Sequence, residues 1–302
     1  MRYTALFSVV FFASLFQWQG CSPKELSPSE LRSHAGFSSV YVAPHSLDIY
    51  LPPGYVSHGR RRFPVVYIHD GQFLFYGDST PWSGAWGIDS LMDTLITAGR
   101  IQPAIVVGIG STDRRLLEYM PRKGVDNFPD STKALFTSIY TAPESDQYLK
   151  FIVEEVKPFV DSIYRTKPEP ASTFIVGSTM GGLISLYGIT EYPEVFGGAG
   201  CLATHWILGE QDVFPDAARA MVDALGANLP DPANHKIYFD YWIQNEISIS
   251  EPYQNRMDQH MGARGYRQPV NWVTNMLDTQ ELNMKAWKEQ LYRPFEFLLG
   301  VK

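Results

Sequence analysis

The sequence predicts an α/β protein in which a doubly wound, mostly parallel sheet carries helices on both faces. From Phe37 onward, short β-branched apolar runs alternate with amphipathic stretches, and this alternation is typical of repeated strand, helix, strand units. The 302 residues are 45% hydrophobic and 14% aromatic, which is enough for one large core. We therefore expect a single domain over residues 36–302.

The strands are predicted from apolar runs, taken in chain order. The segments "SSVYVAP" and "SLDIYLP" are predicted to open the sheet as an antiparallel pair. Buried strands are predicted to follow in "FPVVYIHD", "PAIVVGIG", "STFIVG", "GGAGCLAT", "KIYFDYW" and "PVNWVTNM".

The clearest helix is predicted in "SDQYLKFIVEEVKPFVDSIY", residues 145–164. Pro158 lies inside it and predicts a kink, because proline removes a backbone donor and crowds the preceding turn. The apolar side chains that share one face of this helix are Leu149, Ile152, Val153, Val156, Val160 and Ile163.

Residues 1–20 have the features of a signal peptide. Arg2 is their only charge, and the apolar run over residues 6–16 is too short to span a bilayer as a helix. The segment ends in "FQWQGC", where a cysteine directly after a small residue resembles the bacterial lipoprotein signal. We expect Cys21 to carry the lipid and residues 21–35 to form a polar tether.

This anchor predicts a place in the bacterial cell envelope, periplasmic or on the outer membrane. Plain secretion and an uncleaved anchor are the alternatives. With 25 Lys+Arg against 32 Asp+Glu, the net charge of −7 argues against a nucleic-acid partner and against an anionic membrane surface.

The cysteines and histidines predict neither an intramolecular disulfide nor a metal site. If Cys21 is lipidated, Cys201 has no partner for an intramolecular disulfide, and its apolar run predicts burial. None of the seven histidines has a second ligand type at a metal-binding spacing. We expect no metal and no other cofactor.

The segment "VGSTMGG" has the outline of the strand-to-helix turn that presents a nucleophilic serine in hydrolases. Thr179 stands in the serine's place, between Gly177 and Gly181, whereas Ser178 lacks glycines at this spacing. The nucleophile of such a turn has positive φ, which strains a β-branched residue, and the threonine methyl group would crowd the substrate carbonyl.

Further segments extend a resemblance over nearly all of residues 40–300. They are "DIYLPPGY", "PVVYIHDGQFLF", "WGIDSLMDTLI", "IVVGIGSTDRRLLEYMP", "VEEVKPFVDSIYRT", "GSTMGGLISLYG", "YPEVFGGAGCLATHW", "EPYQ" and "AWKEQLYRPFEFLL". In these the chain resembles the Putative esterase family of α/β-hydrolases, which includes enterobactin esterases, feruloyl and acetyl-xylan esterases and S-formylglutathione hydrolase. The resemblance implies the α/β-hydrolase fold and ester hydrolysis by a serine, a histidine and an acid.

The resemblance also implies where the histidine and the acid would lie, and the chain differs from the family at both positions. The family's histidine comes five residues before a tryptophan, here Trp287, and that position holds Leu282. An ungapped alignment after "KIYFDY" puts Ile247 at the acid's position and Trp242 at a glycine's. Because leucine cannot transfer a proton, we expect the catalytic triad to be lost.

The groups that bind the substrate oxygen are expected to survive, since they belong to the backbone. The resemblance implies N–H donors from Met180 and from Gly71 or Gln72. His205 and Trp206, in "ATHW", are expected at the rim of the pocket, where open α/β sheets bind ligands. The expected ligand is a small-molecule ester, a sugar or an aryl compound.

Two functions are therefore predicted for the same pocket. The first is a binding protein with an esterase fold and no hydrolysis. The alternative is an active ester hydrolase in which Thr179 is the nucleophile and an unconventional base, such as His205, or the substrate itself removes its proton.

Overall fold

One sheet of eight strands organises the described part of the chain. The computed structural model of the protein describes residues 26–57, 59–75, 86–207, 214–243, 248–278 and 284–301. The strands are β1 (Glu30–Phe37), β2 (His45–Leu51), β3 (Val65–His69), β4 (Ile105–Ile109), β5 (Thr173–Ser178), β6 (Gly198–Leu202), β7 (Lys236–Ile243) and β8 (Trp272–Asp278).

Across the sheet the strand order is β1-β2-β4-β3-β5-β6-β7-β8. β2 pairs antiparallel with both β1 and β4, and all other neighbours are parallel. Every residue of β3 and β5 is buried, which explains their continuous apolar sequences, because a parallel strand between two helical layers faces a core on each side.

The helices lie between the strands in sequence and cover both faces of the sheet. They are α1 (Ile88–Thr97), α2 (Arg115–Tyr119), α3 (Arg122–Asp126), α4 (Asp130–Ile139), α5 (Ser145–Lys150), α6 (Lys157–Ile163), α7 (Met180–Glu191), α8 (Pro215–Gly226), α9 (Glu251–Arg264), α10 (Met284–Lys288) and α11 (Tyr292–Leu299). Single 3₁₀ turns occur at Gly71–Phe73 and Pro170–Ser172.

The two faces of the sheet support separate cores. Residues of α1 and α11 form one core with Ile68 of β3, whereas residues of α5 to α9 form the other with the neighbouring Tyr67. Successive residues of one strand thus belong to opposite cores, as the pleat requires. The predicted doubly wound, mostly parallel sheet with helices on both faces is confirmed.

The first strand differs from its prediction. The segment "SSVYVAP" forms bends, since the Ser39 hydroxyl accepts the N–H groups of Tyr41 at 2.9 Å and Val42 at 3.2 Å and so competes with strand pairing. β1 comes earlier and pairs antiparallel with β2. Residues 30–35, predicted as part of the tether, belong to the sheet, and the predicted boundary between residues 35 and 36 is wrong.

The predicted helix changes geometry next to Pro158, while the kink itself stays a prediction. Between α5 and α6 the chain forms a π-helix over Phe151–Val156, immediately before the α6 turn that contains Pro158. The wider π turn accommodates a proline that cannot donate to the preceding turn.

The predictions for the N-terminal segment lie outside the described residues. Residues 1–20 and Cys21 belong to this part. Within the described ranges, none of the helices combines the length and apolar character needed to cross a bilayer. Cys201 in β6 is fully buried and has a free thiol, and burial raises its pKa.

The turn between β5 and α7 depends on a close approach of two glycines. A Cβ atom added to Gly177 would lie 2.5 Å from the carbonyl carbon and oxygen of Gly181. No side chain fits there, and the strand can therefore enter the helix through a sharp turn at Thr179.

We expect Gly177→Ala to lower the free energy of unfolding by about 3 kcal/mol, because the new methyl group overlaps rigid backbone. Gly262→Ala in α9 is the matched control: nothing lies within 4 Å of its added Cβ, and the change should stabilise by about 0.5 kcal/mol. Urea unfolding of both variants measures the difference, and equal effects would contradict the steric explanation.

Candidate functional site

Thr179 occupies a strained turn at the carboxyl end of β5. Its φ is 55° and its ψ is −116°, its side chain is exposed, and α7 begins at the next residue. Thr179 N–H donates to the carbonyl of Leu202 at 2.8 Å, and its own carbonyl accepts from the N–H of His205 at 3.2 Å. Both backbone groups are thus fixed by the loop after β6, which holds the predicted positive φ in place.

A guanidinium group contacts the Thr179 hydroxyl. Arg115 in α2 lies with Nη2 3.4 Å from Thr179 Oγ1. The same side chain forms a two-bond ion pair with Asp70, with Nε to Oδ1 at 2.7 Å and Nη2 to Oδ2 at 2.8 Å. Its guanidinium carbon also lies 4.9 Å from the ring centre of Tyr119. Arg115 is therefore positioned by three contacts beside the Thr179 hydroxyl.

The loop after β3 presents Asp70 to this arginine. Asp70 has φ 60° and is 4% exposed, and its N–H donates to the Tyr119 hydroxyl at 3.3 Å. The preceding His69 is fully buried, its Nδ1 lies 2.9 Å from the Tyr148 hydroxyl, and burial lowers its pKa to about 3. His69 is thus neutral near pH 7 and supports the loop.

The predicted oxyanion residues follow in this loop and at the helix start. Gly71 cannot carry a side chain, since an added Cβ would lie 2.6 Å from the carbonyl carbon of Gly108. The exposed Gln72 side chain bonds to Ser111, with Nε2 to Oγ at 2.7 Å. Met180 is the first residue of α7, and the first N–H groups of a helix have no acceptor within that helix.

An apolar cavity of about 270 Å³ lies beside the elbow. Met180 and His205 contribute to its wall next to Thr179, and α4 covers its far side. The remaining lining comes from Leu116, Met120, Thr132, Leu135, Phe136, Ile139, Tyr140, Ile207 and Phe214. The predicted placement of His205 at the pocket is consistent with this wall.

His205 is close to the threonine through its backbone, and its ring has a weakened basicity. Burial and the positive charge of Arg115 lower its pKa. Among the hydrogen bonds of the described residues, none joins the His205 ring to Thr179 or to a carboxylate. Among the described residues, no imidazole with a carboxylate behind it is bonded to the Thr179 hydroxyl.

Neither Trp206 nor Trp242 lines this cavity. Trp206 is 2% exposed and its Nε1 donates to the buried Gln254 Oε1 at 3.3 Å, and its expected role in binding stays a prediction. Trp242 packs with its ring centre 6.1 Å from that of Trp287 and does not line the cavity beside Thr179. The cavity is therefore not filled by Trp242.

Two of the predicted triad positions, Leu282 and Ile247, lie outside the described residues. Their assignment as the lost histidine and acid stays a prediction. Within the described ranges, no group of three or more His, Cys, Asp or Glu side chains is arranged to hold a metal ion.

A buried acid supports the loop after β6 from β7. Asp240 is 1% exposed, and its Oδ1 accepts the N–H of Ala203 at 2.7 Å. Ala203 has φ 42°, so this bond fixes a second strained residue near the site. Burial raises the pKa of Asp240 to about 7, although hydrogen bonds from Ala203 and Tyr238 oppose the increase.

Sequence reasoning missed the contact of Arg115 and the contribution of α4. Both appear only when the loops after β3, β4 and β5 come together. A signal for the arginine was present in "STDRRLLEYMP", but the sequence does not tell which acid pairs with it. Arg114 next to it instead forms an ion pair with Glu144, and Glu118 contacts His45.

The sheet order, the strand-turn-helix elbow and the cleft at the carboxyl ends of the strands define an α/β-hydrolase. The sequence model described as Putative esterase matches residues 43–231. The chain belongs to this family.

The chain is similar to curated relatives over part of their length. Uncharacterized protein YbbA of Bacillus subtilis (strain 168) is 28% identical over 162 residues, which cover 52% of this chain and 56% of that protein. An endo-1,4-beta-xylanase/feruloyl esterase of Xylanibacter ruminicola is 27% identical over 200 residues, 65% of this chain and 24% of that protein. The chain thus spans about half and about a quarter of these relatives.

The fold is also similar to that of a solved ferulic acid esterase. The TM-score is 0.62 at 16% identity, and the match covers 90% of this chain and 98% of that one. At this identity the likeness concerns the fold.

Removing Arg115 alone should leave Asp70 buried and unpaired. We expect Arg115→Ala to lower the free energy of unfolding by about 3 kcal/mol, whereas Asp70→Asn with Arg115→Gln, which removes both charges and keeps the shapes, should restore most of it. Urea unfolding measures both. Equal losses in the two variants would contradict the ion-pair explanation.

Asp240 should make stability depend on pH. Its pKa rises from 3.8 to about 7 on folding, so the folded state binds the extra proton and stability falls as pH rises from about 4 to about 7. Since one pKa unit corresponds to about 1.4 kcal/mol, about 4 kcal/mol is the upper bound. In Asp240→Asn the amide oxygen can still accept from Ala203. The decrease in the free energy of unfolding between pH 4.5 and pH 7.5 should be smaller in this variant than in the wild type by the contribution of Asp240. An unchanged pH slope would show that Asp240 does not titrate there.

Proposed function

We propose that the protein is a non-hydrolytic binding protein built on the esterase fold. Its ligand is a small-molecule ester, a sugar or an aryl compound, held at the elbow and in the adjoining cavity. The observation that carries this proposal is the guanidinium of Arg115 at 3.4 Å from Thr179 Oγ1.

Ester cleavage at this position requires a group that takes the proton of the hydroxyl. A guanidinium has N–H donors, has no acceptor, and stays protonated in proteins. At 3.4 Å this donor bonds to one of the two lone pairs of the threonine oxygen, and it cannot take the hydroxyl proton. Arg115 therefore opposes activation of Thr179 while it favours binding of polar or negative ligand atoms.

The substitutions at Leu282 and Ile247 support the same proposal from the sequence. In hydrolases of this kind, loss of the nucleophile or the base alone lowers kcat by roughly a millionfold and leaves about 10³ to 10⁴ over water. Such a remainder comes from oxyanion contacts and binding. A site with binding groups and no proton acceptor is suited to holding a ligand.

The proposed location is the bacterial cell envelope, with a lipid on Cys21 as the link to a membrane. Its support is the charge-poor apolar segment that ends in "FQWQGC". Secretion without an anchor is the alternative. Mass spectrometry of the mature N-terminus distinguishes a lipidated Cys21 from a free one.

The alternative function is ester hydrolysis by Thr179. The retained elbow favours it, since φ 55° and ψ −116° direct the residue into the cleft in spite of β-branching. It requires the ring of His205, or a group on the substrate, to replace Arg115 at the hydroxyl. The weakened basicity of His205 makes it a poor base.

Purified protein should hydrolyse p-nitrophenyl acetate, feruloyl esters and acetylated sugars no faster than Thr179→Ala does. The physical reason is that, in the described part of the chain, the recorded side-chain partner of the Thr179 hydroxyl is the Arg115 guanidinium, which cannot accept a proton. Initial rates at pH 7.5 measure this. Turnover well above the buffer rate that disappears in Thr179→Ala would overturn the proposal and establish the alternative.

Restoring the family residues should restore part of the chemistry. Thr179→Ser combined with Leu282→His and Ile247→Asp is expected to raise the rate above that of Thr179→Ser alone, because the backbone donors are retained. The matched control omits only Leu282→His. A gain that does not need the histidine would contradict the proposed reason for inactivity.

A further inference from the structure

The cavity beside Thr179 has an apolar interior without charged groups. Eight of its eleven lining residues are aliphatic, methionine or phenylalanine, and among the described lining residues none is Asp, Glu, Lys or Arg. Its rim is formed by the partly exposed Leu135, Ile139 and Tyr140, at 41%, 62% and 40%. An interior of this kind favours an apolar group over a sugar.

The volume limits the length of that group. A water molecule occupies about 30 Å³ of liquid and a methylene group is of similar size, so 270 Å³ corresponds to about nine methylene groups. Six of the lining residues are flexible aliphatic or methionine side chains that adapt to a chain: Leu116, Met120, Leu135, Ile139, Met180 and Ile207.

A cation, Arg115, lies at the Thr179 end of the cavity, where its charge acts on the lining residue His205. The Arg115 side chain is 33% exposed and its partner Asp70 only 5%, so the cationic member of the pair faces the cleft and the anionic member faces the interior. The recorded bonds of Arg115 in the described residues use Nε and Nη2, which leaves Nη1 for a ligand. Leu116, the next residue, already lines the cavity.

Other groups at the Thr179 end of the cavity also favour an anionic ligand. Met180 both lines the cavity and begins α7, a helix of twelve residues whose first N–H groups favour a negative partner. The nearby acids are engaged elsewhere: Glu118 is fully buried against His45, and Glu144 is paired with Arg114.

We infer that this site binds a monocarboxylate with an aliphatic tail of about nine methylene groups, the carboxylate on Arg115 and the tail under α4. The inference rests on the proposed non-hydrolytic function and replaces its ester, sugar or aryl ligand by an aliphatic acid. The carboxylate accepts a charge-assisted hydrogen bond from Nη1, the guanidinium nitrogen that Asp70 and Thr179 do not use, and its single charge leaves the apolar tail free to enter the cavity.

Calorimetric titration of the protein with hexanoate, octanoate, decanoate, dodecanoate and tetradecanoate, below their micellar concentrations, tests the tail. We expect affinity to rise about fourfold for each added methylene while the chain fills the cavity, and to level off at about ten carbons. Absence of a rise with chain length, or no binding at all, would overturn the inference.

A cavity variant tests where the tail lies. Leu135→Trp narrows the cavity at its α4 end. Leu135 is 41% exposed, so the fold tolerates the larger side chain. The affinity should then stop rising at a shorter chain length than in the wild type. Val270→Trp, at a residue 75% exposed that does not line this cavity, is the control and should leave the series unchanged. If affinity depends on chain length in the same way in both variants, the tail lies elsewhere and the inference is overturned.

A charge variant tests where the head group lies. Wild type should bind octanoate about tenfold more tightly than methyl octanoate or 1-octanol, because the hydrogen bonds to the guanidinium are charge-assisted. Asp70→Asn with Arg115→Gln should remove this preference and keep the tail contribution. The adjacent ion pair provides the control, since Arg114→Gln with Glu144→Gln should retain the tenfold preference. A preference for the ester, or one unaffected by the first double variant, would overturn the inference.

The same titrations separate this inference from the proposed function. Gas chromatography of the methyl octanoate samples detects octanoate released by hydrolysis. Cleavage together with acid-selective binding would reject the non-hydrolytic function and leave the ligand class intact. Uncleaved ester that binds as tightly as the acid would reject the ligand class and leave the non-hydrolytic function intact.

Discussion

The ion pair between Arg115 and Asp70 determines the arrangement of the site. Asp70 follows β3, Arg115 follows β4, and Thr179 follows β5, so one guanidinium joins the ends of three neighbouring strands. Because Asp70 is almost completely buried, its charge requires this partner, and the position of Arg115 is a consequence of the fold's stability as well as of its function. The guanidinium at the elbow is therefore a fixed part of the scaffold.

This fixed cation reverses the electrostatics of a hydrolase elbow. A hydrolytic site needs a proton acceptor at the hydroxyl and a carboxylate that stabilises it when charged. Here the hydroxyl faces a permanent donor, and the same positive charge lowers the pKa of His205 beside it. The groups that remain favourable are donors to a ligand oxygen, namely Arg115 and the start of α7. In the proposed function, the interactions of Arg115 that favour ligand binding also disfavour proton transfer from Thr179.

The sequence predicted the features that depend on local pattern. Continuous apolar runs such as that of β3 indicate buried parallel strands, and the glycines at 177 and 181 indicate a turn that imposes positive φ on Thr179. The sequence-based predictions failed where one particular side-chain partner determines the local structure. The Ser39 hydroxyl accepts backbone N–H groups, and the segment predicted as a strand forms bends. Trp206 donates to the buried Gln254 and packs in the core. Asp70 pairs with Arg115 and not with the adjacent Arg114. Such choices depend on which loops meet at the sheet edge, and no periodicity in the chain encodes them.

Backbone strain in the described residues is concentrated around this edge. The non-glycine residues with positive φ are Asp70, Thr179 and Ala203, and they follow β3, β5 and β6, which are neighbours in the sheet. Each is held by a hydrogen bond that its own N–H donates, to the Tyr119 hydroxyl, the Leu202 carbonyl and the Asp240 carboxylate respectively. A strained residue costs on the order of 1–3 kcal/mol and persists only where its surroundings determine it. In a purely structural region, nothing would require these turns to keep their strained backbone conformations. Their joint support by buried partners means that the loops are preorganised toward the cleft, which favours a ligand-binding role over a purely structural one.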